Sequence, residues 1–308
     1  MTMLHWLRLV RLPNLATAAA DSLAGYLVCA GLTAVEWPTV ACWLAVLASL
    51  ALYAAGMVLN DVYDVELDRL ERPERPLPSG VIGLGQAAAV GNVLMAVGAV
   101  AACGAAIAAD TPWPAFVGAV LTGAIWLYDR HAKQTAAGPA VMGGCRGLNW
   151  LLGMTAAGGP THLHEWLIPV GMAVYVAGIT CYALDEAGRS RTTTLMLGAA
   201  LMLAGLALAA GYVWLPLREG IGLVGTRISA TTWLTLWGIL AASVAARALV
   251  GVADPSPSRV RAAVGNAIMS IITFDAVLVL AACGESWAVV VLLLVAFFLL
   301  GRRLVSPT

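Results

Sequence analysis

Uninterrupted apolar runs constrain this chain more than any other feature: ten of them begin near Leu12, Pro38, Leu84, Pro112, Pro139, Trp166, Thr193, Thr231, Val260 and Trp287. Crossing the hydrocarbon of a bilayer takes about 20 helical residues, and most of these runs are that long. They do not alternate every second residue, so helices rather than barrel strands are the spanning form. A chain that is 61% hydrophobic and 11% charged, with mean hydropathy +0.87, also lacks the polar surface of a soluble domain. The expectation is an all-α polytopic membrane protein: a single transmembrane domain over residues 1–308 with nine or ten spans, the runs near Pro112 and Trp287 being the shortest. The 32 glycines suit close helix packing in lipid.

Net charge is zero, which gives no basic surface for nucleic acid and leaves the placement of charges as the informative quantity. With a cytoplasmic N-terminus, 14 of the 17 Lys and Arg fall on the cytoplasmic side, from Arg8 and Arg11 through Arg69, Arg72, Arg75, Arg130 and Lys133 to Arg302 and Arg303. The positive-inside rule supports that orientation, and the expected location is a bacterial inner membrane. Arg8 and Arg11 before an apolar run resemble a signal peptide, but Asp21 interrupts the run and it extends to about Leu32, which predicts a retained first helix. Cys29, Cys42, Cys103, Cys145, Cys181 and Cys283 all lie in apolar stretches without metal-type spacing, so they read as small buried residues.

The connection between the second and third runs breaks the apolar pattern with Asn60-Asp61-Val62-Tyr63-Asp64-Val65-Glu66-Leu67-Asp68. On a continuing helix Asp64, Asp68 and Asp61 lie at about 40°, 80° and 100° from Asn60, on one narrow arc. Carboxylates so crowded repel unless a cation sits among them, and hard oxygen ligands favour Mg²⁺, which bridges to substrate phosphates. Pro73 and Pro76 stop the helix, and Arg72 and Arg75 follow where guanidinium groups would clamp a phosphate. An acidic loop ion-paired with those arginines is the alternative reading.

Residues 60–80, closed by the turn Arg75-Pro76-Leu77-Pro78-Ser79-Gly80, resemble the first signature of the UbiA superfamily of intramembrane prenyltransferases, N-D-x-x-D-x-x-x-D followed by R-P-L-x-x-G. The resemblance implies a UbiA-type helical bundle that ionises an isoprenoid diphosphate with Mg²⁺ and passes the prenyl group to a small lipophilic or aromatic acceptor. Carried over by position, Asn60, Asp64 and Asp68 would hold the metal, with Asp61 beside them as a catalytic residue and Arg72 and Arg75 on the diphosphate. Tyr128 and Lys133 look like the Tyr and Lys that the family places after its fourth helix, a membrane-anchoring pair being the alternative.

The family's second acidic motif, D-x-x-x-D after the sixth helix, is degenerate here: Asp185 is followed four residues on by Arg189, and Glu186 by Ser190. A salt bridge between Asp185 and Arg189 is expected at that spacing, or Arg189 takes over phosphate charge that a second metal would neutralise. The segments Tyr128–Lys133, Met142–Gly153 and Gly178–Thr180 resemble the UbiA-like EboC subgroup. That likeness implies a rival function, binding or export of a lipophilic metabolite precursor without prenyl transfer.

Charges within spans are costly, about 2.5–3.5 kcal/mol each on insertion scales, and face the bundle interior. Asp21, Arg146 and Asp275 are such residues. Arg146 is expected to meet a carboxylate from another helix, or, with Asn149 one turn on, to reach a diphosphate or a polar acceptor group. Trp126, Tyr128 and Trp150 are candidate cavity aromatics, with packing or interfacial roles as the alternative.

Overall fold

The structure is a computed structural model and describes residues 2–33, 35–185, 188–218 and 227–305, the side chains of Thr2, Leu217 and Arg218 excepted. It is almost wholly helical. A short α1 (Thr2–Leu9) leads into α2 (Leu12–Ala30), α3 (Val40–Tyr63) and a two-turn α4 (Val65–Glu71). Then come α5 (Leu84–Ala108), α6 (Trp113–Leu127), a π-helical turn (Tyr128–Ala132) and α7 (Gly138–Ala156). The chain continues through α8 (Leu163–Tyr182), α9 (Thr192–Arg218), α10 (Ala230–Ala253), α11 (Pro257–Cys283) and α12 (Glu285–Leu304).

Each of the ten apolar runs coincides with a helix. Seven of these, α3, α5 and α8 to α12, are long and apolar enough to cross a membrane. Helices α2, α6 and α7 have 19, 15 and 19 residues. Local chemistry sets the boundaries. Arg11, at φ 50° and ψ 55°, breaks α1 from α2, and Pro13 follows in the first turn of α2. Gly31 ends α2 in the left-handed region and returns its N–H to the Leu27 carbonyl at 2.9 Å.

Polarity runs opposite to that of a soluble bundle. Val93, Val97, Val100 and Ile107 form an exposed apolar stripe on α5, and Leu293, Phe297, Leu300 and Leu304 one on α12, both at helical spacing. Asp21, Asp275, Arg146 and Asn149 are buried within the bundle. Only an apolar solvent favours that arrangement. The cysteines are unpaired: Cys42, Cys181 and Cys283 are buried as expected, Cys29 and Cys145 half-buried, and Cys103 exposed on α5.

Small residues let the helices that frame the interior approach closely. A Cβ at Gly153 of α7 would collide with the Ser22 carbonyl oxygen of α2, so the two backbones touch where Asp21 faces Arg146. A Cβ on Gly171 of α8 would lie 2.7 Å from the Gly205 carbonyl of α9. Close packing of α7, α8 and α9 keeps the polar interior on the side of α2, α3 and α11.

Candidate active site

The acidic run begins on the last turn of α3. Helical hydrogen bonding continues through the junction with α4, Asp64 N–H donating to Asn60 O at 3.0 Å and Asp68 N–H to Asp64 O at 2.8 Å. Asp64 itself adopts φ −92° and ψ 1°, outside the helical range, so the expected single arc is bent. The bend sorts the acids into two groups, each with its own cations.

The first group faces the interior. Lys133 Nζ lies 2.6 Å from Asp64 Oδ1 and donates to Asn60 Oδ1 at 3.3 Å and to the Asn60 carbonyl at 3.4 Å. The second group is turned away: Asp68 Oδ2 accepts from Arg75 Nη1 at 2.8 Å, and Asp61 Oδ1 lies 3.9 Å from Arg75 and 3.6 Å from Arg11 Nη2. Asp61 and Asp68 are buried by these contacts. Arg75 therefore holds the acidic turn together, while Arg72 lines the cavity.

That cavity measures about 570 Å³. Its mouth carries Arg11, Asn60, Asp64, Arg72, Tyr128, Asp129 and Lys133, and its depths are walled by Leu52, Ile125, Val176, Ile179, Ile268 and Ile271, with Tyr53, Arg146 and Asn149 among them. Asn60, Asp64, Arg72, Tyr128, Lys133, Arg146 and Asn149 are thus brought together, whereas Asp61, Asp68, Arg75, Asp185 and Arg189 lie outside the lining.

Two mouth residues escaped the sequence reading. Arg11 looked like a positive-inside marker, and its signal is the adjoining Leu12-Pro13 that starts α2 directly after it. Asp129 sat unremarked between Tyr128 and Arg130. It occupies the π turn, a geometry frequent at functional sites, and Lys133 N–H closes that turn onto Tyr128 O at 3.1 Å. Asp129 is 3% exposed, and its Oδ2 is buried without a hydrogen-bond partner. Burial pushes its carboxyl up to about 7, opposed by Lys133 and reinforced by Asp64. Tyr128 is raised to about 12, chiefly by burial and then by the Asp129 charge.

The second acidic segment behaves otherwise than its spacing predicts. Helix α8 ends at Tyr182, so Asp185 and Arg189 are not one turn apart on a helix. Asp185 Oδ2 instead accepts from Arg191 Nε at 3.2 Å, and its carbonyl accepts from Ser190 Oγ. Glu186 falls outside the described residues.

Deep in the bundle Arg146 meets its expected carboxylate. Its Nε lies 2.6 Å from Asp21 Oδ2 of α2 as an ion pair, and Asn149 Nδ2 donates to the same oxygen at 3.1 Å. Asn149 Nδ2 reaches the Ala18 carbonyl as well, and the guanidinium sits 5.7 Å from the centre of the Tyr53 ring. Trp150 does not line the cavity; it is fully buried and donates from Nε1 to Asp275 Oδ1 at 3.2 Å. Trp126 is exposed beneath Arg130, 5.2 Å away. Tyr53 is the aromatic that takes their expected place.

An all-helical membrane bundle holding an apolar chamber under a mouth of interleaved carboxylates and basic groups defines an intramembrane protein with a cavity charged at one end and apolar at the other. The chain belongs to the UbiA prenyltransferase family, whose model matches residues 22–272. Among curated relatives, the digeranylgeranylglyceryl phosphate synthase of Metallosphaera sedula is 37% identical over 131 residues, 42% of this chain and 43% of the relative. The chain thus spans less than half the length of that relative. Among solved structures, one of digeranylgeranylglyceryl phosphate synthase shares the fold at TM-score 0.65, with 20% identity over 92% of this chain and 99% of that one. A UbiA homologue from Archaeoglobus fulgidus bound to DMAPP and Mg²⁺ does so at TM-score 0.58, with 12% identity over 98% and 99% of the two chains.

Proposed function

We propose that this protein transfers a prenyl group from an isoprenoid diphosphate to a small lipophilic acceptor within the membrane. The observation that carries the reading is the cavity itself, in which a polar mouth at Asn60, Asp64, Arg11, Arg72 and Lys133 opens onto aliphatic walls. A solved homologue is bound to DMAPP and Mg²⁺. The 14 cations that the sequence gathers toward one face support a cytoplasmic mouth.

The residues present fit a divalent cation. The Lys133 ammonium already touches the side-chain oxygens of both Asp64 and Asn60, so positive charge is welcome at that point. A divalent ion there would be held by one or two carboxylates together with substrate phosphates. Mg²⁺ bound at Asn60 and Asp64 would neutralise the departing diphosphate.

The chain's own groups do the rest. Arg11, Arg72 and Lys133 bind and orient the diphosphate, which leaves with the electron pair of the broken allylic C–O bond. The walls from Leu52 to Ile271 exclude water from the allylic carbon, so the acceptor rather than water forms the new bond and gives up its proton. At the acceptor end Arg146 keeps a buried Nη2 without a hydrogen-bond partner. Asp21 neutralises its charge, which makes it a hydrogen-bond donor suited to a hydroxyl or carbonyl oxygen.

A second reading has one observation in its favour. Asp185 is engaged by Arg191 and is not among the described residues lining the cavity, as a protein that binds or exports a lipophilic precursor would allow. The test uses purified protein in lipid nanodiscs with Mg²⁺, labelled dimethylallyl, geranyl and geranylgeranyl diphosphates, and a panel of phenolic and polyol acceptors. Prenylated product with matching diphosphate release is expected. Mg²⁺-dependent donor binding without release of diphosphate from any donor would refute prenyl transfer and establish the second reading.

A further inference from the structure

Asp185 is paired with Arg191 and does not line the cavity, and the interior offers another carboxylate that no motif assigns. We propose that Asp129 is a cation ligand of this site, completing with Asp64 and Asn60 a carboxylate pair that faces the diphosphate from the π turn after α6. The inference rests on the reading of Asn60 and Asp64 as the cation site. It replaces the expected contribution of residues 185–189 with a residue some fifty positions earlier in the chain.

Three independent observations converge on Asp129. It lines the cavity mouth together with Asn60, Asp64 and Lys133. It is buried to 3% exposure, and Oδ2 has no donor. A buried carboxylate oxygen left unpaired is unfavourable by the full desolvation of the group unless an ion or donor arrives to meet it. The charged groups around it are Lys133, Asp64, Arg11 and Asp61, and the two cations among them are committed elsewhere, Lys133 to Asp64 at 2.6 Å and Arg11 to Asp61 at 3.6 Å.

The backbone explains why the carboxylate sits there. Tyr128, Asp129 and Lys133 all line the mouth from one wide turn, and the i to i+5 bond from Lys133 N–H to Tyr128 O fixes that turn. Lys133 reaches across to α3 while Asp129 stays against the cavity wall. A cation there would be held by Asn60, Asp64 and Asp129, and Lys133 would then be free to pair with the diphosphate. No bond to substrate is made or broken by Asp129; its role is to hold the ion.

The test is an electron paramagnetic resonance titration of Mn²⁺ into the full chain in nanodiscs with inorganic pyrophosphate present, read as free Mn²⁺. Wild type is compared with Asp64→Asn, Asp129→Asn and Asp185→Asn, and a folded helical bundle is checked by circular dichroism. Asp129→Asn is expected to weaken Mn²⁺ binding at least tenfold, since even outer partners of a metal site are worth about 10–100-fold in affinity. Asp185→Asn should leave binding unchanged. Wild-type affinity in Asp129→Asn, with binding lost in Asp64→Asn, overturns the role of Asp129 while leaving the site itself standing. Wild-type affinity in both variants overturns the site as well. Should Asp129→Asn not fold, Asp129→Glu restores the carboxylate one methylene further out: measurable binding with altered affinity supports the proposal, and binding identical to wild type refutes it.

Discussion

Replacing Asp21 by Asn should cost this bundle about 3 kcal/mol of stability, and the structure gives the reasons for that size. Asp21 is fully buried, and its Oδ2 is ion-paired with Arg146 at 2.6 Å and accepts from Asn149 Nδ2 at 3.1 Å. The substitution keeps the shape and removes the charge, leaving a guanidinium of 9% side-chain exposure inside the span. Breaking a buried ion pair from one side costs about 3–5 kcal/mol because the remaining charge has no counter-ion, and insertion scales price such an arginine at about 2.5–3.5 kcal/mol. Asp275, fully buried in the same polar interior and held by Trp150 Nε1 at 3.2 Å, leaves a second carboxyl in the bundle, which places the single change at the lower end. Removing the charge too, in Asp21→Asn with Arg146→Met, should recover at least about half the loss. The assay is a double-mutant cycle on unfolding in mixed detergent micelles. A coupling energy below about 0.5 kcal/mol would refute the assignment of Asp21 and Arg146 as a buried pair.

Asp64→Asn is expected to lower diphosphate release by more than about 100-fold, beyond what loss of an outer metal partner costs, with the helical content unchanged by circular dichroism. Arg75→Met leaves Asp68 buried without its 2.8 Å partner and should cost about 2 kcal/mol in thermal unfolding, part of which Asp68→Asn restores. Gly153→Ala forces a methyl against the Ser22 carbonyl and should destabilise by about 3 kcal/mol, whereas Gly123→Ala, with open space around it, should be silent in the same measurement. Chelating divalent cations should abolish retention of inorganic pyrophosphate by the purified protein in equilibrium dialysis, and added Mg²⁺ should restore it.

The bundle was legible because lipid imposes one simple rule, that backbone polar groups be satisfied within each segment, and a run of about 20 apolar residues has one way to obey it. The donor mouth was half legible for a related reason. Asn60, Asp61, Asp64 and Asp68 lie within nine residues, so helical geometry alone brings them together. Which of them face the cavity was hidden in the backbone at Asp64, where a change of ψ to 1° turns Asp68 toward Arg75 and leaves Asn60 and Asp64 for Lys133. The Asp185 and Arg189 spacing misled because it assumed a helix that ends three residues earlier, and Arg191, six positions from Asp185, became the partner once the chain turned.

The acceptor end was the least legible, and its structure shows why. Arg146 and Asn149 are on α7, Asp21 on α2, Asp275 on α11 and Tyr53 on α3, so the polar pole of the chamber draws on four helices spread from residue 21 to residue 275. Spacing within α7 identified Arg146 and Asn149 as sharing a face, but a single sequence has no local rule that pairs residue 21 with residue 146. What joins them is contact between α2 and α7, at a height set by the Gly153 approach to Ser22. On the proposed function, the donor head group meets charges that one turn of chain can assemble, whereas the acceptor meets a surface set by the register of several helices. Changes in small residues such as Gly25 or Gly153 should therefore alter acceptor preference without touching any group that contacts the diphosphate.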